Sequence, residues 1–243
     1  MKKIIAVIPA RYQSSRFPGK PLVQIAGKSM IQRVYERVKE VSAIYEVLVA
    51  TDDKRIFDEV LSFGGKAVMT GECSCGTERV YEAVSDIDCN IVINVQGDEP
   101  LINKEMLEGL INAFEDETVE MATLKKEIQS KRDIEDPNVV KVVTDQKNNA
   151  IYFSRYAIPY DRDRIGVTYY RHIGIYAYTK TFLEKYIKLP KSSLEICESL
   201  EQLRVLDNGY DIRVVETQYE SIGVDLPEHV ALVERMLEDE NKI

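Results

Sequence analysis

The sequence has 243 residues, 44% of them hydrophobic and 30% charged, with a formal net charge of −9. That length can bury a sizeable core and suits one large α/β domain or two small ones. The acidic balance speaks against a nucleic-acid coat or an anionic membrane surface. No apolar run approaches the ~20 residues needed to cross a bilayer, and the one behind Met1-Lys2-Lys3 is too short for a secretory leader, so the expected setting is cytoplasmic.

Ile4–Ile8 is an apolar run of buried-strand type, and it feeds the segment IPARYQSSRFPGKPL, residues 8–22. This segment carries Arg11, Arg16 and Lys20, and Pro9, Pro18 and Pro21 stiffen it by fixing φ. Backbone N–H groups ahead of a helix can cradle phosphate. Arginine adds a permanently charged planar fork, and lysine adds a mobile point charge. Three cations so close together in an acidic chain point to a bound anion; a solvated basic turn is the plainer alternative.

Met30, Ile31, Val34, Val38 and Val41 recur at helical spacing. Val47–Ala50 reads as a strand ended by Thr51-Asp52-Asp53, and Ile56, Val60 and Leu61 as a helix ended by Gly64-Gly65. Ala67–Met69 is a third strand, Glu78–Val84 a helix, and Asn90–Val95 a fourth strand closed by Gln96-Gly97-Asp98-Glu99-Pro100. A helix runs through Met106, Leu110 and Phe114. This βαβα rhythm predicts an α/β fold with a mostly parallel sheet. Ligands bind such sheets beyond the carboxyl ends of the strands. The opening loop, Gly71–Arg79 and Gln96–Pro100 all fall there and are expected to converge on one crevice.

The middle of the chain changes character. Val139–Val143, a turn at Gln146–Asn149 and Ala150–Phe153 predict a β-hairpin. Asp161-Arg162-Asp163-Arg164 is an exposed connection and Ile173–Tyr178 a strand. Leu194–Leu206 reads as one helix, Ile212–Val215 as a strand and Glu228–Leu237 as a last helix. No repeat or linker interrupts residues 1–243, so one domain is expected, with a β excursion around 119–178.

Several residues suggest chemistry. Asp98, in a turn after a strand, can hold Mg²⁺ through one carboxylate, although Gly, Asp and Pro are also ordinary turn formers. Asp225 in GVDLPE fits a capping box with Glu228 and Pro227 in the first turn, or a second metal carboxylate. Arg155, Arg164, His172, Tyr176, Glu201 and Gln202 form a polar set in the second half. Of these, Arg155 can pair with a substrate carboxylate; His172 can equally close a core hydrogen bond, and Glu201 can be a solvated charge. The four cysteines, Cys73, Cys75, Cys89 and Cys197, read as reduced thiols, since Cys73-Ser74-Cys75 lacks the further nearby ligands a zinc site needs.

Taken together, IPARYQSSRFPGKPL, VATDD, CGTERV, NVQGDEP, DPNVVKVV, YFSRYAIPYDRDR, RHIGIYAY, LEQLRVLDNGY and GVDLPE resemble the 3-deoxy-manno-octulosonate cytidylyltransferases, in that family's order from Ile8 to Glu228. The resemblance implies a Rossmann-like three-layer nucleotidyltransferase fold with an extended β region that forms a homodimer. It implies attack of the anomeric hydroxyl of 3-deoxy-manno-octulosonate (Kdo), an acidic 2-keto sugar, on the α-phosphate of CTP. Lipopolysaccharide or capsule precursor synthesis would use the product. Pro9, Ala10, Arg11, Ser14, Arg16, Lys20, Gly76, Thr77 and Arg79 would bind the nucleotide, and Asp98 and Asp225 would hold Mg²⁺. Lys20, Asp98 and Asp225 would carry the catalysis, and Gln96, Arg155, Arg164, His172, Tyr176, Glu201 and Gln202 would line the sugar site.

The chain departs from the family pattern at Cys73-Ser74-Cys75, where cysteines replace the usual histidine and serine. It also has a short loop between Arg164 and Tyr170, which leaves room for a related acid such as an amino-substituted Kdo. A silent nucleotide- or sugar-binding regulator is the alternative of another class, and the intact carboxylates and loop cations argue against it.

Overall fold

The computed structural model describes residues 2–13, 17–220 and 222–240. In chain order the elements are β1 (Ile4–Ala10), β2 (Gln24–Ile25), β3 (Lys28–Ser29), α1 (Met30–Lys39), β4 (Glu46–Thr51), α2 (Lys54–Ser62), β5 (Ala67–Met69), α3 (Gly76–Val84), β6 (Ile91–Asn94), α4 (Lys104–Ala113), β7 (Met121–Glu127), α5 (Lys131–Glu135), β8 (Lys141–Thr144), β9 (Ala150–Ser154), β10 (Tyr170–Thr179), α6 (Lys180–Tyr186), α7 (Ser193–Glu198), α8 (Leu203–Asp207), β11 (Arg213–Glu216) and α9 (Glu228–Glu240). The chain divides into two compact units, Met1–Glu108 with Glu220–Ile243, and Gly109–Tyr219. The expected α/β class with a mostly parallel central sheet is what the structure has.

In the first unit β1 lies between β4 and β6, parallel to both, and β5 extends the sheet beyond β4. Ile5, Ala6, Val7 and Ile8 are all fully buried. A continuous apolar run of this kind belongs to a parallel strand covered on both faces. α1 buries Met30, Ile31, Val34 and Val38, and its N-cap Ser29 accepts from the Gln32 N–H. The register pairs Ala10 with Thr51 and Val7 with Asn94. The strands therefore end along one edge, and each releases its polar loop there. Ile25, Met30, Leu101, Val224, Val233 and Leu237 form a separate buried cluster. Each such side chain contributes about 1.5–3 kcal/mol when fully buried, and the cluster fastens the C-terminal segment beside the opening loop.

In the second unit β7 pairs antiparallel with β10 and parallel with β11. β8 and β9 form the expected hairpin. The Asp145 carboxylate closes its turn by accepting from the N–H groups of Lys147 and Asn149, and Asn148 takes the left-handed conformation at φ 61°. The β excursion expected around 119–178 falls within this unit. The helix expected over Leu194–Leu206 is two helices. Ser192 and Glu195 form a capping box at the start of α7. Ser199, left-handed at φ 52°, ends it, and Arg204 of α8 folds back onto Glu195 with contacts of 2.8 and 2.5 Å. β2, β3, β7, α5 and α6 had no counterpart in the sequence reading. In β7 the alternation is hidden because Lys125 is buried, with Nζ on Thr144 Oγ1 and over the Tyr170 ring. Among the described residues no helix is long and apolar enough to cross a membrane.

Candidate active site

The first unit holds a cavity of about 430 Å³ at the edge where its strands end. Pro9, Ala10, Arg11, Gln13, Lys20 and Pro21 of the opening loop line it, with Gly76, then Gln96, Gly97 and Asp98, and finally Asp225. The three segments expected to converge do so, and the C-terminal segment joins them. Ser14 and Arg16, also expected at the nucleotide, lie outside the described residues.

The loop closes on itself. The Gly19 N–H donates to the Tyr12 carbonyl at 2.8 Å. Gly19 has φ 73°, and a Cβ there would lie 3.2 Å from the Tyr12 ring, so both conformation and space require glycine. The Arg55 guanidinium stacks 3.2 Å from the same ring centroid, and Asp53, the N-cap of α2, grips it through both carboxylate oxygens. Lys20 follows directly, in a 3-10 turn Lys20–Leu22.

Lys20 Nζ donates to Asp98 Oδ2 at 2.5 Å and to Asp225 Oδ1 at 3.3 Å. Two carboxylates from distant parts of the sequence thus already share one positive charge. Gly97 makes the turn before Asp98 feasible, because a Cβ there would come within 3.1 Å of the Pro9 carbonyl. The Val224 N–H donates to the Asp98 carbonyl at 2.8 Å, and the Asp225 N–H donates to His229 Nδ1 at 3.2 Å. α9 begins at Glu228, three residues beyond Asp225. A pair of carboxylates facing one cavity suits a hard cation completed by phosphate and water. Among the described residues no group of three or more His, Cys, Asp or Glu is assembled for a metal.

Around Cys73 the chain is held by carboxylates. Glu82 accepts the Gly71 N–H at 2.7 Å and the Cys73 thiol at 3.2 Å, and Glu78 accepts the Ser74 N–H at 2.6 Å. Burial and the Glu82 carboxylate push the Cys73 thiol up to about 11. The Cys73 carbonyl accepts from Arg11 Nη2 at 2.7 Å. All four cysteines are free thiols.

Arg79 and Thr77, expected at the nucleotide, are buried and do not line the cavity. Arg79 donates to Thr70 Oγ1 and pairs with Asp52, tying α3 to the ends of β4 and β5. Its contribution is to hold the segment that carries Gly76.

Of the set expected at the sugar, Gln96 lines this cavity. The others belong to the second unit. Arg155 donates through its guanidinium to the carbonyls of Glu198, Pro137 and Ser199, so its fork is engaged with main chain instead of being held out for a carboxylate. His172 Nε2 lies 2.9 Å from Thr123 Oγ1, and its ring packs against Phe153 and Tyr176. Burial, aided by Arg171, pushes the imidazole down to about 3, and burial with Glu201 pushes Tyr176 up. Gln202 is buried with its Nε2 unpartnered, Glu201 gives its carbonyl to the Tyr186 hydroxyl, and Arg164 is exposed at φ 54°.

Sequence reasoning missed Gln13, Pro21 and Gly97 on the wall, and Glu82 and His229 behind it. Gly97 carried a signal, a glycine directly before the metal-type aspartate; the positions of Glu82 and His229 on their helices carried none.

This geometry, cations and a carboxylate pair at the mouth of a parallel sheet, is that of a nucleotidyltransferase. Residues 5–213 match the family described as Cytidylyltransferase. The chain is 50% identical to the 3-deoxy-manno-octulosonate cytidylyltransferase of Solibacter usitatus over 97% of its own length and 94% of that protein's. It is 51% identical to the enzyme of the same name from Syntrophotalea carbinolica, over 96% and 98% of the two chains. A solved CMP:2-keto-3-deoxy-manno-octonic acid synthetase complexed with CTP superposes with a TM-score of 0.94 at 44% identity, covering 98% of this chain and 99% of that one. The chain belongs to the 3-deoxy-manno-octulosonate cytidylyltransferase family.

Proposed function

We propose that this protein transfers CMP from CTP to 3-deoxy-manno-octulosonate and releases pyrophosphate. The observation that carries the reading is the Asp98–Lys20–Asp225 cluster on a cavity that also presents Arg11. It is supported by near-full-length likeness to a synthetase solved with CTP. The anomeric hydroxyl gives its proton to solvent water as its oxygen bonds to the α-phosphorus, and the bond from that phosphorus to the pyrophosphate oxygen breaks, pyrophosphate leaving with that electron pair. Arg11 and Lys20 neutralise phosphate charge and hold the triphosphate in line, and the Gly76 end of α3 offers the positive pole of its dipole. Asp98 and Asp225 would hold Mg²⁺, which would supply polarisation of the α-phosphate and a lowered pKa for the attacking hydroxyl. Gln96, on the wall of the cavity, positions the sugar. Within the second unit, Arg155 shapes the backbone at Glu198 and Ser199.

The enzyme works as a homodimer in the cytoplasm. Exposed Tyr156, Tyr160 and Ile165 in the second unit are candidates for the contact. Pyrophosphate release with CTP, Mg²⁺ and a panel of ulosonic acids tests the reading. Release with Kdo supports it, release only with an amino-substituted relative reassigns the sugar, and silence across the panel with all four nucleotides overturns it.

A further inference from the structure

Lys20 sits where a divalent cation would be held. Its Nζ is 2.5 Å from Asp98 Oδ2 and 3.3 Å from Asp225 Oδ1. The lysine side chain is only 14% exposed, whereas the two carboxylates are 28% and 40% exposed. Solvent therefore reaches the carboxylates while the ammonium lies tucked against them. An ammonium and a divalent ion repel each other strongly at such separations, even with protein-like screening, so both cannot occupy this space.

We propose that Lys20 is an internal counter-ion that competes with the divalent cation for the Asp98–Asp225 pair. Nucleotide then admits metal by drawing Lys20 away. Lysine suits the task because its compact charge rides on a flexible stem and binds phosphate as readily as carboxylate. With Lys20 on the carboxylates, the pair is nearly neutralised and attracts metal weakly. An incoming triphosphate offers Lys20 a second anionic partner, and the vacated carboxylates regain their charge. Metal and nucleotide become thermodynamically coupled through one side chain, and the coupling is reciprocal. The inference rests on the assignment of Asp98 and Asp225 as metal carboxylates made above.

The test is Mn²⁺ binding to the full chain without nucleotide or sugar, followed by the paramagnetic resonance signal of free Mn²⁺. Wild type is compared with Lys20→Met, Lys20→Gln, Lys20→Arg and Asp98→Asn, each checked for folding by circular dichroism. Both neutral variants should bind Mn²⁺ about tenfold or more tightly than wild type, a factor within the range of typical coupling between sites. Lys20→Arg should stay near wild type and Asp98→Asn should bind more weakly. If the neutral variants bind no more tightly than wild type while Asp98→Asn still weakens binding, competition by Lys20 is wrong and the carboxylate site stands. If Asp98→Asn changes nothing, or no form binds, the carboxylate assignment itself fails and the inference falls with it.

Discussion

The Arg11 guanidinium and the main-chain carbonyl of Cys73 are joined by a 2.7 Å hydrogen bond across 62 positions of sequence. A cation on the cavity wall thus takes its place from a segment that is itself hung on Glu82 by the Gly71 N–H and the Cys73 thiol.

Glu82→Ala should release that segment and let Arg11 drift. The KM for CTP should rise about tenfold, one charge-assisted contact's worth, with kcat little changed. In an Arg11→Ala background the same substitution should add almost nothing to KM. A full, additive effect in that background would mean that Glu82 acts by some route other than Arg11.

Cys73 should be a sluggish nucleophile. Its thiol is raised from 9.0 to about 11, so at pH 8 its thiolate fraction is about a hundredfold below that of an unperturbed thiol. Iodoacetamide labelling followed by mass spectrometry should modify the exposed Cys197 first, with Cys73 reacting appreciably only as the pH approaches 11. Cys73→Ser, which keeps a donor to Glu82, should bind CTP like wild type.

The Arg79–Asp52 pair should respond asymmetrically. The arginine side chain is 1% exposed and the aspartate 35%. Asp52→Ala strands a buried guanidinium and should cost about 3–4 kcal/mol. Arg79→Met leaves a carboxylate that can rehydrate and should cost about 1–2 kcal/mol. Urea unfolding of the two variants measures the difference, and equal costs would contradict the burial argument.

Much of the first unit was legible because its signals are local. Ile4–Ile8 is apolar without interruption, Ala67–Met69 is bounded by glycines, and each strand ends in its own polar loop. The convergence of those loops follows from parallel topology alone. Arg79 was harder to read. A motif cannot distinguish a guanidinium turned toward the ligand from one turned inward beneath it, and here Asp52 and Thr70 decide the direction. The break at Ser199 escaped because a left-handed serine leaves no mark in the apolar periodicity that runs on to Leu206. β7 escaped because a buried lysine, Lys125, interrupts its apolar pattern.

His172 should remain neutral through the working range. Its imidazole is lowered from 6.5 to about 3 by burial. As pH falls below 6.5 the unfolded chain takes up a proton that the folded chain refuses, so this group's contribution to stability declines from pH 6.5 down to about 3. In a proton-NMR titration the His172 ring should show no inflection between pH 5 and 8. An inflection near 6.5 would mean that the ring is hydrated.

Asp98→Asn should keep the fold and lose at least about a hundredfold in kcat, the scale seen when one electrostatic contact to a transition state is removed. Near-normal turnover with unchanged circular dichroism would remove Asp98 from the chemistry.

The Val224 N–H bound to the Asp98 carbonyl has a consequence for biosynthesis. Arg11, Lys20 and Asp98 all come from the first hundred residues, but the second carboxylate arrives only with residue 225 of 243. A ribosome that stalls short of that point releases a polypeptide whose Lys20 ammonium has Asp98 but not Asp225 to answer it. Truncated products of this gene should therefore fail to turn over, lacking the second carboxylate, however well their parallel sheet has formed.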